Sequence, residues 1–337
     1  MKSPRCSAAS QYAQARSALL GASCLAVSIA VTALAAIPAG ADEARPNRIR
    51  IEYVPPKSPE NQRLYDALKE RRALEKMQEI FSPFRLSNDL TMRTFECGMA
   101  NAWYQRPTVT ICYEYLADIL TRMPKDTPSG ITPTDAMLGQ FFYVVGHEMG
   151  HAMFDFLNVP LFGRPEDAAD YFAAYVMLLF GKQDARRLMV GAAYTYRNAV
   201  QNPKVTSRLV AFSSVHGAPA QRFFNLMCLA FGADRDTFGD LVKIGYLPEA
   251  RSRGCRVEFG ELNFAFRQLI QPHVDQELAK AVLQQSWLPA ADARPDPPPR
   301  RRRPDISGEL TKLPVWTASG RCGGIVPDMI VTCAQAR

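Results

Sequence analysis

The sequence predicts an α+β protein in which a small, mostly antiparallel sheet precedes a helical half. Two segments near residue 100, residues 90–97 and 108–113, are rich in the β-branched and aromatic residues that favour strands. Long apolar stretches with helical spacing follow between about residue 133 and residue 283. A run of strands followed by a run of helices is typical of the α+β class.

The first 41 residues are predicted to be a signal peptide. A basic start precedes an uncharged apolar run at residues 18–37, and an A-x-A cleavage site ends at Ala41. An uncleaved anchor is the alternative because the run is near spanning length, but its small residues and the cleavage site favour removal. The mature protein is therefore expected to be secreted or periplasmic, without stable membrane insertion.

The folded part is expected to begin with an amphipathic helix at residues 59–81, where apolar residues recur at helical spacing between charges. The two strand segments come next. Residues 100–104 between them are predicted to form a further strand of the same sheet.

The helical half is predicted to start at Thr132, a candidate N-cap followed by Pro133. Behind this cap, residues 137–156 form one long and largely apolar helix. Residues 165–180 form the next, because proline and acidic residues open it. Further helices are predicted at residues 184–200, 219–231, 236–244 and 257–283.

The C-terminal part changes composition. Residues 291–305 are predicted to be a linker rich in proline and arginine, and residues 306–337 a small segment held by a disulfide, which leaves residues 42–290 as the main domain. The formal net charge is +7, and without the signal peptide it falls to +4, most of it in the linker. A nearly neutral folded part argues against nucleic acid as a partner.

Six cysteines remain after removal of the signal peptide, and export allows them to pair. No CxxC motif is present, so we interpret them as disulfides rather than zinc ligands. Each neighbouring couple brackets a plausible hairpin or helical corner. The expected pairs are Cys97 with Cys112, Cys228 with Cys255, and Cys322 with Cys333.

The candidate chemistry lies in VVGHEMGHAMFD, residues 144–155. His147 and His151 are four residues apart, so on a helix both project from one face and can bind the same metal ion. Glu148 points toward the same cleft and suits a general base. An ordinary helix with two histidines is the alternative, but burying these groups among apolar residues without a cation would be costly.

A third ligand is expected from the next helix, in GRPEDAAD. Glu166 is predicted to bind the metal. Asp170, one turn later on the same face, is predicted to accept the other N–H of a metal-bound histidine. Asp155 and Asp167 are the rivals: Asp155 lies too far along the histidine helix, and Asp167 points away from Asp170. An acidic first helical turn without a metal is the alternative interpretation.

HEMGH followed by a Glu-x-x-x-Asp helix resembles the gluzincin metallopeptidases. The fuller pattern is similar to a bacterial family of secreted proteins regarded as metallopeptidases, a domain of unknown function, over roughly residues 50–283. The likeness is carried by ECGMANAWY, ICYEYL, GHEMGHAMFD, GRPEDAADYFA and VHGAPAQRFFNLMCLAFG. The resemblance implies a zincin-like fold, a Zn²⁺ cofactor and a peptide or protein substrate.

The resemblance also implies two roles beyond the metal ligands. Asn101, Ala102 and Trp103 look like the edge strand on which thermolysin-like enzymes bind an extended substrate; a plain sheet strand with core aromatics is the alternative. His216, in a loop before a helix, resembles the histidine that stabilises the oxyanion in gluzincins. A surface histidine is the alternative there.

The sequence as a whole thus predicts a secreted zinc metalloendopeptidase with Glu148 as general base. The alternative is a zinc-binding envelope or surface protein without significant peptidase turnover. A site without acid–base chemistry has no need of Glu148, so its presence favours the enzyme.

Overall fold

The computed structural model describes residues 44–123, 129–197, 200 and 209–290. The predicted signal peptide, the linker and the C-terminal segment with Cys322 and Cys333 lie outside the described residues. The described part combines one four-stranded sheet with a larger number of helices, so the α+β class is confirmed.

The sheet contains β1 (Ile49–Tyr53), β2 (Leu90–Phe95), β3 (Ala102–Gln105) and β4 (Thr108–Cys112) in the order β1-β2-β4-β3. The pairs β1–β2 and β2–β4 are parallel, and β3–β4 is antiparallel. The prediction of a mostly antiparallel sheet is therefore wrong.

The reason lies in the connections between the strands. The strand β1, IRIEY, was not predicted, and the chain passes from it to β2 through two helices, a crossover that suits parallel neighbours. The predicted strand near residue 102 is present as β3. Among the described strands it pairs only with β4 and forms the edge of the sheet on the side away from β2. The tight turn between β3 and β4 makes that pair antiparallel and returns the chain into β4 in the direction of β2.

The predicted helix at residues 59–81 consists of two, α1 (Pro59–Glu70) and α2 (Ala73–Phe81). Arg72 between them has a φ of 51°, in the left-handed region, where a right-handed helix cannot continue. Both helices lie between β1 and β2 in the chain, and Leu74 and Met77 of α2 are buried in the core.

The helix α4 (Pro133–Phe156) is the longest, and its predicted N-cap is confirmed. Thr132 accepts the Asp135 N–H and the Asp135 side chain accepts the Thr132 N–H, which completes a capping box. The other helices are α3 (Tyr113–Thr121), α5 (Pro165–Leu178), α6 (Lys182–Tyr194), α7 (Leu209–Phe212), α8 (Pro219–Ala233), α9 (Arg235–Phe238), α10 (Asp240–Lys243), α11 (Glu249–Ser252), α12 (Cys255–Leu269) and α13 (Gln276–Leu283).

Two predicted helices are divided. The segment predicted at residues 236–244 forms α9 and α10. The segment predicted at residues 257–283 forms α12 and α13, separated by a 3₁₀ turn at Gln271–His273. Pro272 in that turn cannot donate a backbone hydrogen bond, so an α-helix does not continue through it.

The helix α4 crosses α6 with their backbones in close contact. A Cβ on Gly139 would lie 2.5 Å from the Ala192 nitrogen, and one on Gly191 would lie 2.3 Å from the Asp135 carbonyl oxygen. Glycine at both positions therefore lets the two helices approach, which fixes α4 in the core between its neighbours.

Two of the predicted disulfides are present, Cys97–Cys112 and Cys228–Cys255. The first joins the segment after β2 to the end of β4, and the second joins α8 to the start of α12. Disulfides fit a protein that resides outside the cytoplasm. Among the described helices, none combines the length and apolar character needed to cross a membrane.

Candidate metal centre

The histidine motif lies in the buried second half of α4. The residues His147 and Glu148 are almost fully buried, at 4% and 7% exposure, and His151 lies at the margin of the core. The apolar residues around them, including Val145, Met149 and Met153, are fully buried. The helix therefore holds three polar groups in a largely apolar environment, as the sequence predicts.

Two glycines of the motif bring the next helix close. A Cβ on Gly146 would lie 3.1 Å from the Ala173 Cβ, and one on Gly150 would lie 3.1 Å from the Phe172 ring. Because both positions lack a side chain, α5 packs closely along the histidine face of α4. This contact brings the first turns of α5 to the imidazole rings.

The predicted ligand atoms converge at this contact. The Nε2 atoms of His147 and His151 are 3.2 Å apart, and they lie 3.0 and 3.4 Å from Oε2 of Glu166. Donor atoms held about 2.0–2.2 Å from one tetrahedral ion are themselves about 3.3–3.6 Å apart. Two imidazoles and a carboxylate at these distances can hold a metal ion.

Asp170 lies behind His147 and is held in turn by an arginine. Its Oδ1 is 2.7 Å from the Nδ1 of His147. Arg222, on α8, donates to both oxygens of the Asp170 carboxylate at 2.8 and 2.6 Å and to the Tyr143 hydroxyl at 2.9 Å. The His147 ring is thus oriented by a carboxylate that is itself fixed at both oxygens.

These contacts set the charges of the cluster. Burial lowers the pKa of His147, but hydrogen bonds to Asp170 and Glu166 outweigh it and raise that pKa to about 9. The hydrogen bond from His147 is the main cause that lowers the pKa of Glu166 to about 2. Burial acts to raise the pKa of Asp170, yet His147 and Arg222 together hold it well below its usual range. The two carboxylates are therefore ionised at neutral pH.

Glu148 differs from both of these carboxylates. Burial is the largest influence on its pKa and raises it to about 7, with a further upward contribution from Glu166 and an opposing one from His147. The backbone N–H of Tyr104 approaches the Glu148 carboxylate and also favours its charged form. A carboxylate that titrates near neutral pH is suited to take up and release a proton.

The edge strand β3 lies beside α4. The Asn101 carbonyl accepts the Cys112 N–H at 3.1 Å. In an antiparallel pair, every second residue of a strand bonds to its partner strand, so the backbone of Trp103 also bonds to β4. The backbone groups of Ala102 and Tyr104 then point away from β4, toward the open edge. The Tyr104 N–H is near enough to Glu148 to lower the pKa of that carboxyl, and the Ala102 groups lie at the open edge of the sheet.

His216 reaches the same cluster from the loop before α8. Its Nε2 lies 2.8 Å from Oε2 of Glu166, and its ring stacks on that of His147 with centroids 5.8 Å apart. Its side chain is 43% exposed. The residue is therefore at the open side of the cluster and not in the core.

The two rival carboxylates lie elsewhere. Asp167 pairs with Arg164, at 2.9 Å from the guanidinium Nε. Asp155 accepts the Tyr104 hydroxyl and lies 2.8 Å from an Arg106 nitrogen. The described part of the chain has one other cluster of potential metal-binding donors, formed by Cys97, Cys112 and Glu114. The two cysteines of that cluster are joined in a disulfide.

Sequence reasoning missed two contributors to this site. Arg222 lies in the first turn of α8, six residues after His216, within a helix whose other residues are mostly apolar. An arginine in a mostly apolar helix needs a buried anion as its partner. The position of Arg222 in such a helix was therefore the signal in the sequence that could have indicated its role. The role of the Tyr104 backbone had no signal in the sequence, because any residue supplies an N–H.

Comparison with known proteins gives one family. Residues 53–270 match the model of the DUF4344 family, which is described as "Putative metallopeptidase". Neither the curated proteins nor the solved structures contain a match to the chain.

Proposed function

The chain belongs to the DUF4344 family of putative metallopeptidases, and from that premise we propose that it is a zinc-dependent endopeptidase of gluzincin type with a zincin-like fold. The observation that carries the proposal is the convergence of His147, His151 and Glu166 on one point, beside a buried Glu148. Zinc held by these three residues would act as a Lewis acid and lower the pKa of a water molecule toward neutrality.

Glu148 is the proposed general base. A carboxylate with a pKa near 7 takes the proton from the attacking water and passes it to the leaving amine. Asp170 accepts the Nδ1 proton of His147, which leaves Nε2 directed at the metal position. Arg222 keeps the Asp170 carboxylate charged and in place.

The substrate is proposed to bind as an extended strand along β3. Ala102 offers a backbone N–H and C=O at the open edge next to Glu148, which are the groups that an added strand requires. Asn101 and Trp103 flank it, with backbone groups directed mainly to β4. A peptide aligned on Ala102 places a backbone amide of the substrate beside the general base.

His216 is proposed to donate a hydrogen bond to the oxygen that becomes negative during hydrolysis. Support comes from its place at the open side of the cluster, 2.8 Å from Glu166. A donor at that position stabilises charge that develops in the transition state.

We further propose that the protein acts outside the cytoplasm after cleavage of the signal peptide behind Ala41. The two disulfides fit such a compartment. The segment at residues 306–337, with its Cys322–Cys333 pair, is proposed to be an appendage that small-peptide hydrolysis does not require.

Metal analysis together with peptide hydrolysis tests this function on the mature protein and on Glu148→Gln. We expect one zinc per chain in both proteins, and a kcat at least about 100-fold lower in the variant because the acid–base group is lost. The substitution keeps the size and burial of the side chain, so zinc content serves as the internal control. Equal turnover in the two proteins, or no zinc in either, would contradict the proposal.

A further inference from the structure

Asp155 continues the stripe of His147 and His151 along α4, but it faces the edge strand and not the metal site. The Tyr104 hydroxyl donates to Oδ2 of Asp155, and an Arg106 nitrogen lies 2.8 Å from Oδ1. The Arg106 guanidinium also lies over the Phe156 ring, 4.7 Å from its centroid. Both oxygens of this carboxylate are thus occupied by β3 and the turn that follows it.

Tyr104 contacts α4 at two separate points. Its backbone N–H approaches Glu148, and its hydroxyl binds Asp155, seven residues later in the helix. Seven residues correspond to about 10 Å along a helix axis. Two contacts this far apart fix the position of the strand relative to the helix and also its direction.

The alternation of the strand connects this contact to the substrate position. Ala102 and Tyr104 share the same orientation in β3, with backbone groups toward the open edge. A change in the position of Tyr104 along α4 therefore moves the open groups of Ala102 by the same amount. At the other side of the strand, β4 holds β3 only through alternate residues.

We propose that Asp155 and Tyr104 are positioning residues that hold the edge strand β3 against α4, and so set where a bound peptide lies relative to Glu148. The inference rests on the proposed peptidase function for its catalytic consequence, whereas the position of the strand can be tested without any turnover. Neither side chain contacts the reacting atoms; both act through the backbone of β3.

The test uses Tyr104→Phe, which removes only the hydroxyl, together with Asp155→Ala and Asp155→Asn. Asparagine keeps an oxygen that can accept the Tyr104 hydroxyl, whereas alanine does not. The matched control is Tyr53→Phe at the opposite edge of the sheet. There the Tyr53 hydroxyl makes the same kind of bond, 2.7 Å to a carboxylate oxygen of Glu75 on α2, away from the site.

Amide hydrogen exchange of the metal-bound proteins is the first readout. Loss of one hydrogen bond should speed exchange of the Tyr104 amide about tenfold in Tyr104→Phe and in Asp155→Ala. Asp155→Asn should lie closer to the wild type, and Tyr53→Phe should leave exchange in β3 unchanged. Exchange in β3 that is the same in all five proteins would overturn the proposal.

Peptide hydrolysis is the second readout. A misplaced strand should raise KM and lower kcat, with kcat/KM reduced on the order of 10- to 100-fold, while the zinc content stays at one per chain. Because the Tyr104 hydroxyl acts through Asp155, Tyr104→Phe combined with Asp155→Ala should be no worse than Asp155→Ala alone. Additive losses, or normal kcat and KM in Tyr104→Phe, would also overturn it. If the wild type has no turnover, the peptidase function fails and the exchange measurement still decides on the strand.

Discussion

At the scale of single residues, His147 is bonded at both of its ring nitrogens. Nδ1 faces Asp170 at 2.7 Å and Nε2 faces Glu166 at 3.0 Å. Two carboxylate neighbours require a proton on each nitrogen, so the metal-free ring is the imidazolium. A metal held at Nε2 would take the place of the proton there, and the Nδ1 proton would remain bonded to Asp170. Asp170 would therefore orient the His147 ring with and without a metal.

The proposed third ligand can be tested against its neighbour in the sequence. Glu166→Ala removes a carboxylate that lies 3.0–3.4 Å from both histidine Nε2 atoms, so zinc affinity should fall by more than about 100-fold. Asp167→Ala removes a carboxylate paired with Arg164, and zinc affinity should stay near that of the wild type. Competition with a chelator measures both. The reverse order of affinities would show that Glu166 is not the ligand.

The sequence predicted the residues that have a fixed spacing within one helix. Positions i and i+4 share a face whatever the tertiary structure, so His147 with His151, and Glu166 with Asp170, could be placed before the fold was known. Arg222 could not be placed in this way. Its partner lies 52 positions earlier in the chain, and their meeting depends on how α8 packs against α5.

At the scale of the helices, glycine decides how close α4 and its neighbours lie. Gly146 and Gly150 admit α5, and Gly139 with Gly191 admit α6. Gly146 and Gly150 belong to the histidine motif itself, one beside His147 and the other before His151. These two residues of the motif therefore allow α5 to pack against α4. Substitution at such contacts forces backbones apart, whereas a helix that faces solvent has no such constraint.

Gly191→Ala should destabilise the fold. The new Cβ would lie 2.3 Å from a backbone oxygen of α4, and overpacking of this kind costs about 1–3 kcal/mol or more, which exceeds the gain of about 1 kcal/mol in helix propensity. Gly260→Ala is the control. It lies in α12 with nothing within 4 Å of the added Cβ, so stability should rise by about 0.5–1 kcal/mol. Denaturant unfolding of the two variants measures both, and a stable Gly191→Ala would contradict the close crossing.

Strand direction shows what the sequence does not contain. The residue patterns of β2 and β4 identified both as strands, but the pattern of a short strand does not fix the direction of its neighbours. The direction depends on the connections, here on the unpredicted β1 and on the placement of β3 outside β4. The error therefore lay in the pairing, and the strand segments themselves were identified.

At the scale of the whole molecule, the site is assembled from distant parts of the chain. The helices α4 and α5 supply the proposed ligands and the base, β3 supplies the open edge, and the loop before α8 supplies His216. Arg222 joins α8 to α5 through Asp170, and the Cys228–Cys255 disulfide joins α8 to α12. A metal held by these residues would consequently be coupled to the stability of the folded protein.

The stabilisation that zinc provides should increase with pH between about 6.5 and 9. The pKa of His147 is raised to about 9 in the metal-free folded protein, from an ordinary value of 6.5. The hydrogen-bonded imidazolium of His147 thus gives its full stabilisation to the metal-free fold below pH 6.5. This stabilisation is lost as the pH rises through 9. Zinc must displace the Nε2 proton, so its affinity should rise about tenfold per pH unit in the same range.

Thermal unfolding with saturating zinc and with a chelator, at pH 6.5, 7.5 and 8.5, measures this difference. The increase in Tm on adding zinc should be largest at pH 8.5, and calorimetry in buffers of different ionisation enthalpy should detect about one proton released per zinc at pH 7. Glu166→Ala should show a much smaller zinc effect at each pH, because a ligand is missing. A Tm increase that does not change with pH would mean that His147 is neutral before the metal binds, which is incompatible with a proton shared with each of its two carboxylates.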